Sequence, residues 1–274
     1  MSFSAQSGPA MTGSHPSFRL PRLGGLKALI LPVLLFLTWD LLARRDVGHG
    51  MIFVSLADLG RALVEAVRSG DLPRNVGVSL LRVAFGLVVG GALGVLLGAA
   101  MALSRPLDRL LGPVLHALRQ VPTLGWIPLL GLWFGYGETP KLLIAAKAAM
   151  FPLLLNAYEG LKGAKAIHLE AGRVLGFGGW DLFWRVRLPS ALPMLLTGLQ
   201  QAMAFTWIAC IGVEILFGAG PGIGSMIEHG QIQGRMDTVL LGVVFVGLIA
   251  YAITALSNRL IAPALRWREL KEAS

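Results

Sequence analysis

The sequence predicts an all-α, polytopic membrane protein with six transmembrane helices, on three observations. Hydrophobic residues fill 55% of its 274 positions and charged residues only 14%, with mean hydropathy +0.68, too little charge to solvate one compact globule. Apolar runs recur six times, most of them near the ~20 residues a helix needs to cross a bilayer. The 24 Lys+Arg against 15 Asp+Glu, a formal charge of +9, gather in the segments that would face one side. In a soluble protein this excess would suggest a nucleic-acid partner; here it fits cytoplasmic loops holding Lys and Arg, with no nucleic acid. One cysteine, Cys210, excludes an internal disulfide, a cysteine zinc site and an iron–sulfur cluster. The five histidines are scattered without ligand spacing, so no metal site is expected.

Residues 1–23, rich in Ser, Gly and Pro, are expected to form a disordered cytoplasmic tail before a transmembrane domain over 24–274. The first run, 24–43, has no small-residue cleavage site before Arg44 and Arg45, so a retained helix is preferred to a signal peptide. Leu56–Arg68 shows helical apolar spacing and reads as a short amphipathic helix on the outer surface. The second run, 79–104, carries glycines at 86, 90, 91, 94 and 98, which allow close helix approach in lipid. The third and fourth, 121–136 and 139–160, contain Pro122, Pro128 and Pro152 and read as kinked helices lining a cavity. The fifth and sixth are 189–217 and 239–260. Six spans put both termini on one side, and a Lys/Arg bias of about two to one makes that side the cytoplasm.

Between spans four and five, the polar loop 161–188 exceeds the usual connection length, which in a cytoplasmic loop signals a task. Ile167, Leu169, Val174 and Leu175 fit a short amphipathic helix over 166–176. Ala171 and Gly172 are expected to leave one side bare for a partner surface. Gly176 suits a left-handed helix stop, and Pro189 the first turn of the next helix.

The loop resembles the signature of the permease subunits of bacterial ABC importers that work with a binding protein: E-A-A, three residues, G, nine residues, then I-x-L-P. Glu170, Ala171, Gly172, Gly176, Val186, Leu188 and Pro189 match at full spacing, with Gly172 for the third residue and Val186 for Ile. SLLRVAFGLVVGGALGVLLG at 79–98, LRQVPTLGWIPLLGLWFGYGETPK at 118–141 and LPSALPMLLTGL at 188–199 are similar to the branch importing aliphatic sulfonates, taurine and nitrate. The resemblance implies the ABC importer type I permease fold in the bacterial inner membrane. It implies as partners two copies of a cytoplasmic ATP-binding subunit docking on this loop, a second copy of the permease and a periplasmic solute-binding protein. It also implies a non-enzymatic chain whose solute is a small organic anion, an aliphatic sulfonate first, with taurine, nitrate or another small acid as alternatives. None of the six lysines follows a glycine, so the chain holds no G-x-x-x-x-G-K phosphate loop; ATP and Mg would be used by the partner subunit, with no cofactor here.

Arg82, Lys147 and Glu214 fall inside apolar runs, where an ionised group costs ~2.5–3.5 kcal/mol at a helix centre. They are the candidates for the translocation path. Arg82 and Glu214, at similar depth, either pair with each other or meet solute; Lys147 either attracts an anion or pairs with Asp40 or Glu214. An ion-gradient secondary transporter or channel is the reading of another class, and a purely structural subunit a third. Co-purification with an ATPase separates the first from both.

Overall fold

The computed structural model describes residues 25–44 and 54–272, and among them every regular element is helical. The expected tail, 1–23, lies outside the described residues. The elements are α1 (Gly25–Arg44), α2 (Leu56–Arg68), α3 (Asp71–Leu103), α4 (Arg105–Gln120), a 3₁₀ turn (Thr123–Trp126), α5 (Ile127–Phe134), α6 (Glu138–Lys162), α7 (Ala166–Val174), α8 (Gly179–Leu182), a π-helical segment (Phe183–Arg187), α9 (Leu188–Phe217), α10 (Ile223–Ile232) and α11 (Met236–Glu272).

The framework is α3 against α6 and α6 against α9, held by small residues. A side chain at Gly86 would meet the Ala145 backbone at 2.7 Å, and side chains at Gly90, Gly94 and Gly98 would overlap the carbonyls of Ala146, Met150 and Leu154. The four-residue spacing of these glycines puts them on one stripe of α3, so the helix lies directly on the backbone of α6. On the other side of α6, Gly160 approaches Ala191 and Met194, and Gly198 approaches Asn156. Ala145, Ala149, Ala157 and Ala202 are fully buried in these seams. Lipid-like exposure falls elsewhere: Leu81, Val88 and Leu96 of α3 and Leu248 and Tyr251 of α11 are exposed.

Four helical stretches are long and apolar enough to cross a bilayer alone: Asp71–Leu103, Glu138–Lys162, Gly179–Phe217 and Met236–Arg259. The expected count of six continuous spans is therefore not met among the described residues. The first run forms α1, 20 residues long. The third is corrected: Pro122 ends α4, and the apolar part that follows, Thr123–Phe134, is a 3₁₀ turn plus a short helix ending at Gly135. Its other half is α4, amphipathic and absent from the expected spans because its polar face hides the apolar one. Asp108 accepts hydrogen bonds from Tyr158 (2.9 Å) and Lys162 (3.0 Å), while Arg119 shares a cleft with Phe151 and Leu155, so α4 runs antiparallel to the second half of α6.

A second correction concerns the segment after α9, expected to be an outer loop. Gly218 (φ 56°) turns the chain, and α10 folds back with Ile223, Met226 and Ile227 buried. Ten residues at 1.5 Å each give about 15 Å, half the ~30 Å core, so α10 enters without crossing. The amphipathic α2 matches its expected bounds. Ser55 caps it by accepting from the Asp58 N–H (3.1 Å), and Arg235 reaches Glu65 at 3.2 Å to tie it to the start of α11.

Candidate functional site

Where the first half of α3 meets the start of α6 and the end of α9, the Arg82 side chain is 2% exposed and Glu214 fully buried, and the two form an ion pair at 2.6 Å. Burial of two charges is tolerable only when their remaining hydrogen-bonding capacity is met, and here it is. Arg82 Nε donates to Glu138 at 2.8 Å. Glu214 accepts from the Ser79 hydroxyl (2.8 Å) and the Gly224 N–H (2.9 Å), with the Cys210 thiol at 3.4 Å. Ser79 in turn accepts from the Ile223 N–H at 3.0 Å, and Asn75 accepts from Gly222 N–H at 2.7 Å. Lys141, near the start of the fourth apolar run, is fully buried and donates to the Ala219 carbonyl. The network thus pins the 218–222 turn and the entry of α10 onto α3 and α6. Cys210 is buried beside it.

Lys147 lies apart from this network. It projects from α6, half-buried, with its ammonium 5.5 Å from the Trp126 ring centre and 5.1 Å from that of Phe151, distances at which a cation is attracted by the ring face. No carboxylate of the described residues pairs with it; Glu214 is taken by Arg82. The ammonium borders a cavity of about 540 Å³. Leu124 from the 3₁₀ turn, Phe151 and Pro152 from α6, and Gln201, Phe205 and Ile208 from α9 line it. The third, fourth and fifth apolar runs do converge there. Arg119 also borders it, and among the described residues the buried Trp126 indole N–H has no hydrogen-bond partner.

On the opposite end, α7 occupies most of the expected docking helix. Gly176 has φ 79°, the left-handed stop that the sequence requires. Glu170 and Ala171 are exposed, as are Ile167 (67%), Val174 (87%) and Leu175 (72%). Gly172 corrects the expectation of a bare face: it is buried, and a side chain there would meet Leu182 at 2.8 Å, Phe177 at 3.3 Å and Val186 at 3.5 Å. Its smallness makes room for the returning arm of its own loop. That return, α8 and the π segment, continues without a break into α9 from Gly179 to Phe217, with Leu188 and Pro189 in the first turn of α9. Leu182 and Val186, both on this continuous stretch, lie against Gly172 of α7.

Residues 90–267 match the family described as binding-protein-dependent transport system inner membrane component. The chain belongs to that family. It is the permease subunit of an ABC importer, a multi-pass inner-membrane protein that does not itself hydrolyse ATP and that works with ATP-binding and solute-binding partners. Among its relatives, a candidate aliphatic sulfonates transport permease protein, SsuC, of Bacillus subtilis is 29% identical over 251 residues, covering 92% of this chain and 91% of that one. The taurine transport system permease protein TauC of Escherichia coli is 32% identical over 191 residues, 68% of this chain and 69% of that one. A solved structure of inward-facing conformations of the MetNI methionine ABC transporter has TM-score 0.53 and 20% identity over 77% of this chain and 98% of its own. That likeness concerns the fold, the type I permease architecture.

Sequence reasoning missed Glu138, Lys141, Ser79 and Asn75 as parts of the Arg82–Glu214 network. Glu138 and Lys141 stand at the start of α6, where a charge ordinarily marks a loop; only the arrival of residues 214–224 buries Lys141. The sole sequence signal was the neighbouring pair of Arg82 and Ser79 one turn apart, facing an acid at the end of another run.

Proposed function

We propose that the chain forms, as a homodimer, the translocation pathway of an ATP-driven importer for a small organic anion, with an aliphatic sulfonate as the solute. The observation that carries this is Lys147: a half-buried cation with no carboxylate partner among the described residues, on a cavity walled mainly by apolar side chains. An anion head with a short apolar body complements both halves of that lining. The SsuC and TauC relatives, described as permeases for sulfonates and taurine, support the same class. One unpaired deep cation attracts an anion, whereas several would hold it too tightly for passage.

In this proposal both termini face the cytoplasm. Two ATP-binding subunits, which use ATP and Mg, dock on the α7 segments of the two permease copies through Glu170, Ala171 and the exposed apolar edge. Arg82 and Glu214 act by holding the outer turn rather than by meeting solute. A periplasmic solute-binding protein delivers the anion.

The test is uptake of labelled alkanesulfonate, taurine and nitrate into vesicles holding permease, ATPase and binding protein. Alkanesulfonate should be preferred and uptake should require ATP; uptake driven by an ion gradient without ATP overturns the mechanism. Lys147→Met should lower sulfonate uptake about tenfold or more, the scale of one hydrogen bond to a charged group, with ATPase assembly intact. Gly176→Val, which forces a β-branched residue into the left-handed region, should uncouple ATP hydrolysis from uptake. Reporter fusions after residues 60 and 230 should read external, and those after 110 and 175 cytoplasmic.

A further inference from the structure

The return arm of the 161–188 loop carries a surface that ATPase docking does not explain. Arg173 of α7 and Arg187 of the π segment border one pocket of about 440 Å³ together with Phe177, Trp180, Phe183 and Leu103. The neighbouring Arg185 is engaged by Asp181 at 3.2 Å. No carboxylate of the described residues pairs with Arg173 or Arg187, and no acid lines the pocket. Two uncompensated guanidinium groups in a shared depression call for an anion, and guanidinium forks suit phosphate oxygens.

The depth of the pocket decides which anion. Glu138 stands at the outer end of α6 and Gly160 near its other end, and the 22 residues between them (160 minus 138) rise about 33 Å, close to the ~30 Å hydrocarbon thickness. Gly160 therefore marks the inner boundary. It packs on Ala191 of α9, and Arg187 lies one helical turn before Ala191, about 6 Å further out, in the headgroup layer. Leu103 closes α3 at the same end. It lies seven residues after Leu96, on the same helix face, and the two are 49% and 66% exposed. The pocket thus opens at the foot of a lipid-facing stripe.

The aromatic residues complete the pattern. Trp180 is 73% exposed and Trp184 50%. With Phe183 they form a cluster whose ring centres lie 5.5–6.1 Å apart. Exposed tryptophans at headgroup depth anchor a segment in the interface.

We infer that Arg173, Arg187 and Trp180 form a binding site for the phosphate headgroup of an anionic phospholipid, its acyl chain running along Leu103 and Leu96. Because Arg173 sits on the docking helix and Arg187 at the root of α9, one lipid would fasten the coupling element to the leaflet beside it. The orientation proposed above makes that the cytoplasmic leaflet, but the site stands on depth alone and its test is independent of orientation.

The experiment uses the permease assembled with its ATP-binding subunit in nanodiscs. Brominated phosphatidylglycerol or brominated phosphatidylcholine is titrated into phosphatidylcholine discs, and quenching of the Trp180 contribution is read as the difference between wild type and Trp180→Phe. Phosphatidylglycerol should quench at far lower fraction than phosphatidylcholine. That preference should fall about fivefold in Arg187→Gln and roughly thirtyfold in Arg173→Gln/Arg187→Gln, from ~1 kcal/mol per basic residue near an anionic surface, and Lys at both positions should restore most of it. Equal quenching by the two lipids overturns the site. So does displacement by millimolar inorganic phosphate, which would mark a site for a soluble anion. Loss of the ATPase from the glutamine variant in lipid-free detergent would make the surface a protein contact and likewise overturn the lipid assignment.

Discussion

Two places in this membrane domain hold buried charge, and they treat it oppositely. Where α9 ends against α3 and α6, Arg82 and Glu214 are met on every side by Glu138, Ser79, Gly224 and each other. Elsewhere in the bundle, Lys147 has two aromatic faces and a cavity, and no carboxylate among the described residues. Depth alone does not separate a structural charge from a functional one; the state of its hydrogen-bonding groups does. A saturated network fixes one geometry, here the turn that seats α10. An unsaturated cation retains its attraction for something that passes.

Removing one partner from the saturated site should have the largest effect. Arg82→Gln leaves Glu214 buried and uncompensated, and should destabilise the purified permease by about 3–5 kcal/mol, read as thermal unfolding in detergent. The double variant Arg82→Met/Glu214→Met should recover a good part of that loss, because apolar replacement of a whole buried pair is often near neutral. If the single variant unfolds like wild type, the network does not hold the outer turn.

Gly90→Val tests whether the rigid frame around both sites is as tight as the α3–α6 seam implies. The added side chain would overlap the Ala146 carbonyl, and overpacking of this kind costs ~1–3 kcal/mol or more. Gly60→Ala on α2, where nothing lies within 4 Å, should be neutral or slightly stabilising in the same melt.

Lys147 sharpens the contrast from the other side. Lys147→Met should leave the melting temperature unchanged or raise it slightly, since it removes a charge that has no partner to orphan, while uptake falls. A melt as damaged as that of Arg82→Gln would place Lys147 with the structural charges.

The smallest effect belongs to an exposed charge outside the bundle. The Ser55 hydroxyl donates to the Asp58 carboxylate at 2.7 Å, and this bond, with Arg61, lowers the pKa of Asp58 below its ordinary value. A lowered carboxylate pKa stabilises the fold above the unfolded value and loses that contribution as pH falls through the folded one. The start of α2 should therefore be insensitive between pH 5 and 8 and fray only in acid below the usual aspartate range. Hydrogen exchange of residues 56–60 reads this, and Asp58→Asn should abolish the pH dependence.

The sequence by itself determined the membrane class, the amphipathic α2, the small-residue seam of α3 and the short helix with its glycine stop in the 161–188 loop. Each is written in consecutive or helically spaced residues: apolar length, the four-residue repeat of Gly86, Gly90, Gly94 and Gly98, and the fixed spacing from Glu170 to Gly176. Local backbone rules read such patterns directly, down to the left-handed Gly176. Only the tertiary structure decided what depends on distant partners. Lys141 is buried because Ala219, 78 positions later, supplies a carbonyl, and Glu214 is neutralised by Arg82 across 132 positions. Gly172 faces Leu182 instead of a partner because the loop folds back on itself, and α4 lies along α6 because α6 offers Tyr158 and Lys162 to Asp108. The physical reason is common to all four: burial and charge compensation are properties of neighbours in space, and a periodicity can show which face of a helix is apolar but not what arrives to cover it.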